Sequence, residues 1–271
     1  MITKKKFVTT VRDFYRTHGR HTLPWRQTTD PYAILVSEIM LQQTQVDRVI
    51  PKYEAFMERF PDVTTLATAP LGAVLQHWQG LGYNRRAKML HQCAVELHTN
   101  YQSSVPSTEV QLCSLPGIGP YTASAVLAFA YNVPTPLIET NVRTVYIHHF
   151  FPNKSPVTDA ELWPFIIATL DTLNPRDWYY ALMDYGSYLK KTVGNVGRTS
   201  STYTRQSKFA GSDRQIRGAI LKALIEHSRL SLPKMQQKLS EHATDRVKTQ
   251  LRQLETEGMV ARQQNSYTLP I

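Results

Sequence analysis

A short stretch with two closely spaced glycines constrains this chain more than any other part of its sequence. It reads LCSLPGIGPY from Leu112 to Tyr121 and is followed by the apolar run TASAVLAFAY. Gly117 and Gly119 let the backbone turn tightly and let another molecule approach without a Cβ in the way. The helix that follows directs its free N–H groups at whatever lies over the turn, so an anion is favoured there. The stretch predicts a helix-hairpin-helix that holds an anion, and the alternative is an ordinary helix-helix turn closed by a glycine.

The charge of the chain indicates which anion this is. Its 271 residues include 31 Lys and Arg against 21 Asp and Glu, which gives a formal net charge of +10, so a polyanion is the natural partner. A membrane surface is the weaker alternative, because no apolar run approaches the roughly 18 residues that a spanning helix needs. The N-terminus, MITKKKFVTTVRDFY, carries charges where a signal peptide needs its apolar segment. We therefore expect a nucleic-acid phosphate at the hairpin and a cytoplasmic, nucleoid-associated protein.

The content of apolar, charged and cysteine residues indicates a globular protein without a disulfide framework. Hydrophobic content is 42% and charged content 19%, which is typical of a globular protein, and the length favours two domains. Cys93 and Cys113 are too few and too far apart for a metal cage or a disulfide framework. We expect both to be buried thiols in a reducing compartment and predict no metal site.

Glu38 is the first candidate catalytic residue. Asp30-Pro31 is a good helix start, and the pattern predicts one helix from there through Ile50. Glu38 is the only charge in the first dozen or so residues of this helix, so the carboxyl is expected in a partly dry place that raises its pKa and suits a general acid. A hydrogen-bonded or solvated glutamate at a helix edge is the alternative.

Glu139 is the second candidate. It lies just before Asn141, where a helical pattern resumes, and a helix N-terminus favours the ionised carboxylate. Simple helix capping explains the same position without any catalysis.

The segment GLGYNRRAKML presents apolar and aromatic side chains beside two cations. Leu81 and Tyr83 resemble the wedge that some proteins insert between bases, with Arg85 and Arg86 for the flanking phosphates. The alternative is a helix N-terminus whose Leu and Tyr belong to the core.

The C-terminal part changes character twice. Residues 192–212 are polar, basic and poor in aliphatic residues, which predicts a linker along the surface. Residues 213–271 predict three helices followed by a two-stranded wing, the winged-helix arrangement. Its third helix carries Arg246 and Lys248, which are expected to face a DNA groove or, alternatively, water or a protein. The predicted domains are therefore residues 1–191, the linker 192–212, and the module 213–271.

Several long motifs in one order now identify a family. LPWR, DPYAILVSEIMLQQTQV, WQGLGYNRRA, LPGIGPYTASAVLAFAY, ETNVR and ALMDYGSYL together resemble the helix-hairpin-helix DNA glycosylases, and within them the MutY-type adenine glycosylases. The resemblance covers about residues 7–191. It implies an all-α, two-lobed glycosylase body with DNA bound across the cleft, here followed by the winged-helix module.

The resemblance also assigns roles to the catalytic candidates. Glu38 matches the glutamate that protonates a ring nitrogen of adenine, and Glu139 stands where the family has an aspartate, just ahead of the matching Asn141. That carboxylate stabilises the oxocarbenium-like sugar. Tyr121 stands where bifunctional relatives such as endonuclease III carry a Schiff-base lysine, which implies a monofunctional hydrolase without lyase activity. The residues expected to contact DNA are Gln43, Thr44, Leu81, Tyr83, Arg85, Gly117, Gly119, Arg143, Arg246 and Lys248, and those expected to line the base pocket are Trp25, Arg26 and Tyr180.

This chain departs from the family pattern at four places. Glu139 is one methylene longer than the family aspartate, and Tyr180 replaces the usual Gln or Glu that contacts the base. Lys190 stands near the first ligand of the family's four-cysteine iron–sulfur motif, and no cysteine follows it, so we predict no cluster, with the segment 192–212 in place of that loop. A monovalent cation at the hairpin is the one ion left open. The winged-helix module replaces the family's usual Nudix-like domain that inspects 8-oxoguanine.

The expected function is thus a monomeric, monofunctional DNA glycosylase of base excision repair. It extrudes and hydrolytically removes a mispaired base from double-stranded DNA, with adenine opposite guanine or 8-oxoguanine as the first expectation. The alternatives are a thymine or uracil glycosylase for G·T and G·U mismatches, and a non-catalytic DNA-binding regulator.

Overall fold

The computed structural model describes residues 2–271, which are predominantly helical. Within this range the α-helices are α1 (Lys4–His18), α2 (Pro31–Leu41), α3 (Val46–Arg59), α4 (Val63–Thr68), α5 (Leu71–His77), α6 (Arg85–Asn100), α7 (Glu109–Ser114), α8 (Pro120–Phe129), α9 (Thr140–Phe150), α10 (Asp159–Thr169), α11 (Pro175–Thr192), α12 (Asp213–His227), α13 (Leu232–Lys238) and α14 (Thr244–Thr256). The strands are β1 (Arg229–Ser231), β2 (Ala261–Gln263) and β3 (Ser266–Thr268). Single 3-10 turns lie at Pro24–Arg26 and Val196–Thr199. The expectation of an all-α architecture is confirmed.

Contacts group these elements into two compact units. The first contains residues up to Glu38 together with Pro106–Ser114 and Ile118–Arg205, and the second contains Ile39–Val105, Leu115–Gly117 and Gln206–Ile271. The predicted boundaries at residues 191 and 212 mark changes in sequence character and stay a prediction.

Aromatic packing builds the core of the first unit. The ring of Phe7, on α1, lies 5.0 Å from the rings of Tyr146 and Phe150 on α9 and 6.1 Å from Trp178 on α11. All four side chains are buried, so removing large apolar surfaces from water fixes α1, α9 and α11 against one another.

Capping residues set the helix ends that carry the candidate catalytic groups. Asp30 accepts hydrogen bonds from the N–H groups of Tyr32 and Ala33 at 3.2 Å each, which starts α2 at Pro31. Gly119 is the N-cap of α8, and Pro120 follows at its first position.

The second unit packs around Phe56, Phe60 and Trp78, and it includes the C-terminal residues. There β2 and β3 form an antiparallel hairpin, and β1 pairs with β3 to give a three-stranded sheet in the order β1-β3-β2. The backbone N–H of Gly72, on α5, donates to the carbonyl of Pro270 at 3.0 Å. A Cβ at residue 72 would lie only 2.7 Å from that oxygen, so a glycine permits this contact.

Two local expectations need correction. The single helix predicted from Pro31 through Ile50 is wrong, because α2 ends at Leu41 and α3 begins at Val46. The C-terminal hairpin is present, but the sequence analysis missed its third strand, and the winged-helix assignment stays a prediction. Of the helices that the structure describes, none combines the length and the apolar character needed to cross a bilayer.

Candidate active site

Glu38 is a buried acid on α2, with 7% of its surface exposed. Burial raises the pKa of its carboxyl to about 7, and the negative charge of Glu139 adds to this rise. The hydrogen bond from Tyr121 and the positive charge of Arg26 act in the opposite direction. Glu38 therefore holds a proton close to neutral pH, which a general acid must do.

Tyr121 lies in the first turn of α8, and its hydroxyl donates a long hydrogen bond of 3.4 Å to Oε2 of Glu38. Burial keeps the pKa of the phenol well above its usual value, and the nearby negative charges of Glu38 and Glu139 raise it further. Tyr121 is therefore a neutral donor. It has no amine with which to form a Schiff base.

Glu139 is the N-cap of α9. Its Oε1 accepts from the backbone N–H groups of Asn141 at 2.6 Å and Val142 at 2.8 Å, and its Oε2 accepts from Nδ2 of Asn141 at 3.2 Å. Three N–H donors and the positive end of a helix dipole stabilise the negative charge of this carboxylate. The structure thus brings together one dry acid and one helix-capping carboxylate, as the sequence analysis expected.

Arg26 is held by a buried ion pair. Its guanidinium donates to both carboxylate oxygens of Asp184, at 2.7 and 3.0 Å, and Arg20 pairs with the same carboxylate. Burial acts to raise the pKa of Asp184, but hydrogen bonds and charges from the two arginines hold it below its usual value. The Nε of Arg26 is buried without a hydrogen-bond partner among the described residues, so one donor of this guanidinium is left over after the ion pair.

Tyr180 is held between two flat groups. Its ring stacks on Phe129 with a centroid distance of 4.6 Å, and the guanidinium of Arg26 lies 4.3 Å from its centroid. Burial and the charge of Glu38 raise the pKa of the Tyr180 phenol, so the hydroxyl stays neutral. Trp25, the remaining predicted pocket residue, is also buried.

In the second unit, Arg86 joins two loops that contain four of the predicted DNA contacts. Its guanidinium donates to Oγ1 of Thr44 and to the backbone carbonyls of Ile39, Met40, Gln42, Leu81 and Gly82, at 2.6–3.2 Å. The sequence analysis expected Arg86 to contact phosphate, and this is wrong because its donors are directed into the protein. Arg86 instead fixes the turn around Gln43 (φ +57°) and the loop around Tyr83.

Tyr83 has a strained backbone, with φ +48°, next to Gly82 at φ +71°. Its hydroxyl receives hydrogen bonds from Nη1 of Arg214 at 2.6 Å and from the side-chain amide of Gln206. The guanidinium of Arg214 also lies 5.0 Å from the Tyr83 ring centroid. The C-terminal residues thus orient this tyrosine, whereas the predicted wedge Leu81 is buried, with 3% of its surface exposed.

The two hairpin glycines differ in whether the protein itself has room for a side chain at their position. Gly117 has φ +77°, and a Cβ there would lie 2.6 Å from Cβ of Met89, so the protein itself excludes a side chain. Gly119 has an ordinary φ of −97°, and a Cβ there would meet no atom within 4 Å. Open space over Gly119 leaves its backbone accessible to another molecule.

Comparison with known proteins places the chain in a family. Residues 36–163 match the model of HhH-GPD superfamily base excision DNA repair proteins. An adenine DNA glycosylase of Mycolicibacterium smegmatis is 38% identical over 226 residues, which span 76% of each protein. The chain belongs to the HhH-GPD superfamily of base excision DNA repair proteins. Its resemblance to MutY-type adenine glycosylases is confirmed.

This HhH-GPD protein is also similar to glycosylases whose names refer to thymine or uracil. A thymine/uracil-DNA glycosylase of Pyrobaculum aerophilum is 37% identical over 177 residues, covering 64% of this chain and 75% of that protein. The solved structure of a thermostable thymine-DNA glycosylase superposes with a TM-score of 0.61 and 28% identity, covering 68% of this chain and 86% of the other.

The residues of this HhH-GPD protein do not fit a four-cysteine iron–sulfur cluster. The sequence has two cysteines, neither in the segment after α11, and Cys113 is exposed rather than buried as expected. Around Gly197 that segment instead packs on α9, where a Cβ would lie 2.8 Å from Oγ1 of Thr144. The backbone N–H of Val157 donates to the carbonyl of Thr199 at 2.9 Å, which attaches the same segment to the start of α10.

Two of the four remaining predicted DNA contacts form ion pairs within the protein. Arg143 makes a bidentate ion pair with Asp159, both distances 2.7 Å, and Arg246 pairs with Asp213 at 2.5 Å. Arg85 and Lys248 are exposed. These four stay predictions as DNA contacts, and the two paired arginines have carboxylate partners in this structure.

Sequence reasoning did not find the positioning roles of three residues. Asp184 lies in the ALMDYGSYL motif, Arg86 was expected to contact phosphate, and Lys190 was noted only as standing near the expected first cysteine. Apart from Leu81 and Gly82, which lie close to Arg86 in the sequence, their hydrogen-bond partners lie 42–164 residues away. No local pattern indicates such contacts, although an isolated acid on an apolar helix face is a usable signal for Asp184.

Proposed function

We propose that this HhH-GPD protein is a DNA glycosylase of base excision repair. It hydrolytically removes a mispaired base from double-stranded DNA, and adenine opposite guanine or 8-oxoguanine is the first choice. The adenine DNA glycosylase of M. smegmatis, similar over three quarters of both chains, supports adenine. The net charge of +10 supports a polyanionic substrate. The protein works as a monomer on the DNA of the nucleoid.

The observation that carries the proposal is the contrast between two neighbouring carboxyls. Glu38 is buried with a pKa of about 7, whereas Glu139 accepts three hydrogen bonds at a helix N-terminus. Two carboxyls whose environments differ in this way supply one proton donor and one fixed anion.

The reaction follows from these two states. The target nucleotide leaves the base stack, at a cost of a few kcal/mol. Glu38 gives its proton to a ring nitrogen of the base, and the electron pair of the glycosidic bond leaves with the base. Glu139 stabilises the oxocarbenium character of the sugar. Water then adds to the anomeric carbon and releases a proton.

Tyr121 supports a monofunctional enzyme. A phenol with a raised pKa donates a hydrogen bond to Glu38 but does not form an imine with the sugar. The unmutated protein is therefore expected to give no covalent complex with DNA under borohydride. A borohydride-trapped complex would contradict this part of the proposal.

A panel of duplexes with one mispair each tests the substrate. Base release is measured after alkaline cleavage of the abasic strand, with duplexes containing A·G, A·8-oxoguanine, G·T and G·U pairs. We expect cleavage of the adenine strand.

Two observations favour a thymine or uracil glycosylase as the second candidate, namely Tyr180 in place of the usual Gln or Glu, and the similarity to a thymine/uracil-DNA glycosylase. Cleavage of only the G·T or G·U duplexes would identify the protein as a thymine or uracil glycosylase.

The third outcome concerns catalysis itself. If the unmutated protein binds every duplex and releases no base, it is a DNA-binding regulator rather than an enzyme.

We also propose that the protein works without an iron–sulfur cluster, because the sequence lacks the four cysteines that would hold one. Iron analysis of the purified protein tests this, and a stoichiometric iron content contradicts it.

A further inference from the structure

The start of α9 is approached closely by α11. Gly186 and Lys190 lie four residues apart on α11 and therefore share one face of the helix. A Cβ at residue 186 would lie 2.4 Å from the carbonyl oxygen of Asn141 and 2.7 Å from its Cβ. Only glycine at residue 186 permits this close approach of the two helices. The approach brings the side chain of Lys190 to Asn141.

A chain of hydrogen bonds leads from Lys190 to Glu139. The ammonium Nζ of Lys190 donates to Oδ1 of Asn141 at 2.7 Å. The Nδ2 of the same amide donates to Oε2 of Glu139 at 3.2 Å. The backbone N–H of Asn141 donates to the other carboxylate oxygen, at 2.6 Å. Both oxygens of Glu139 therefore depend on residue 141.

The ammonium of Lys190 decides which way the Asn141 amide points. An ammonium only donates and a carboxylate only accepts, whereas an amide has one side of each kind. Between Lys190 and Glu139 the amide has one orientation that satisfies both partners. With its oxygen turned toward Glu139 it would face another acceptor and leave a half-buried ammonium without its partner.

We propose that Lys190 is a positioning residue that, through the Asn141 amide, holds the Glu139 carboxylate in place against the reacting sugar. The inference rests on the proposed function, since it concerns the carboxylate that faces the sugar. Lys190 also stands near the position where the resembling glycosylases carry their first cysteine. A single ammonium on α11 thus supports the start of α9 in a chain that lacks the cluster motif.

The test is single-turnover base release with Lys190→Met, which keeps an unbranched side chain and removes the donor. We expect the rate constant at saturating enzyme to fall about tenfold or more, because a small misplacement of a catalytic group is costly. Duplex affinity is expected to change by less than about threefold, since an interaction realised in the transition state is lost. Lys190→Arg, which restores a cationic donor, recovers most of the rate. The matched control is Lys191→Met at the exposed neighbouring lysine, which leaves the rate unchanged.

A second readout does not depend on catalysis. In the NMR spectrum, the side-chain amide resonances of Asn141 shift in Lys190→Met and not in Lys191→Met. If the unmutated protein releases no base and this shift is present, the proposed function fails while the contact stands. An active protein whose Lys190→Met variant keeps the full rate overturns the inference, and so does an absent shift.

Asn141→Asp covers the case in which Lys190→Met does not fold. Aspartate keeps an acceptor for Lys190, but its side chain has no N–H that can donate to Oε2 of Glu139. We expect a native thermal midpoint and at least about a tenfold slower release. Native stability with an unchanged rate contradicts the positioning role.

Discussion

Replacing Glu38 by glutamine is expected to stabilise the protein and to abolish base release. Burial and the charge of Glu139 raise the pKa of Glu38 from 4.5 to about 7. The unfolded chain therefore loses this proton at a lower pH than the folded chain does. At about 1.4 kcal/mol per pKa unit, the ionised Glu38 destabilises the fold by about 3 kcal/mol above pH 7. Glutamine has nearly the same shape, still accepts from Tyr121, and carries no charge.

The sign of this effect makes the experiment specific. Because the folded pKa is raised, the destabilisation is absent below the unfolded value of 4.5, grows as pH rises, and is complete above about 7. Urea denaturation of the unmutated protein and Glu38→Gln should therefore differ by less than about 1 kcal/mol at pH 5 and by about 3 kcal/mol at pH 8. A difference that does not change with pH refutes the reasoning, and so does a glutamine variant that is less stable at pH 8.

Three further predictions concern the hairpin glycines and the loops that contain predicted DNA contacts. Gly117→Ala should cost about 1–3 kcal/mol of unfolding free energy, because its backbone and space exclude a Cβ. Gly119→Ala should leave stability unchanged and weaken duplex binding in fluorescence anisotropy, and equal stability losses in the two variants contradict this contrast. Arg86→Met should cost at least about 3 kcal/mol, because six oxygens lose a donor, and a native melting curve argues against that role. Arg214→Met should weaken duplex binding about as much as Tyr83→Phe, because both remove the hydrogen bond between Nη1 of Arg214 and the Tyr83 hydroxyl, and widely different losses would exclude their coupling.

The sequence predicted the parts of the site that local chemistry determines. Glu38 stands alone among apolar residues, and Glu139 precedes a resumed helical pattern. Burial of the first and capping by the second follow from those neighbours. The turn at Gly117 was predictable for the same reason, since a positive φ favours glycine.

Contacts between distant residues were not predictable in this way. The segment LQQTQV has neither glycine nor proline, so its pattern continues a helix. In the structure Arg86 caps the C-terminus of α2. Its guanidinium donates to backbone carbonyls there that, in a continued helix, would accept from the N–H groups of the next turn. Lys190 reaches Asn141 only because Gly186 lets two helices approach. Such contacts depend on tertiary packing, which single-sequence periodicity does not encode.

The role of Glu38 as the proton donor is tested most directly by the pH dependence of single-turnover base release from the preferred duplex. Glu38 must be protonated to act as the acid, and burial places its pKa at about 7. We expect a rate constant that is level below about pH 7 and falls about tenfold per pH unit well above it. Glu38→Gln is expected to be inactive and so to show no such fall. A rate that stays level through pH 9, or a Glu38→Gln variant with the unmutated rate, would contradict the assignment of Glu38 as the proton donor.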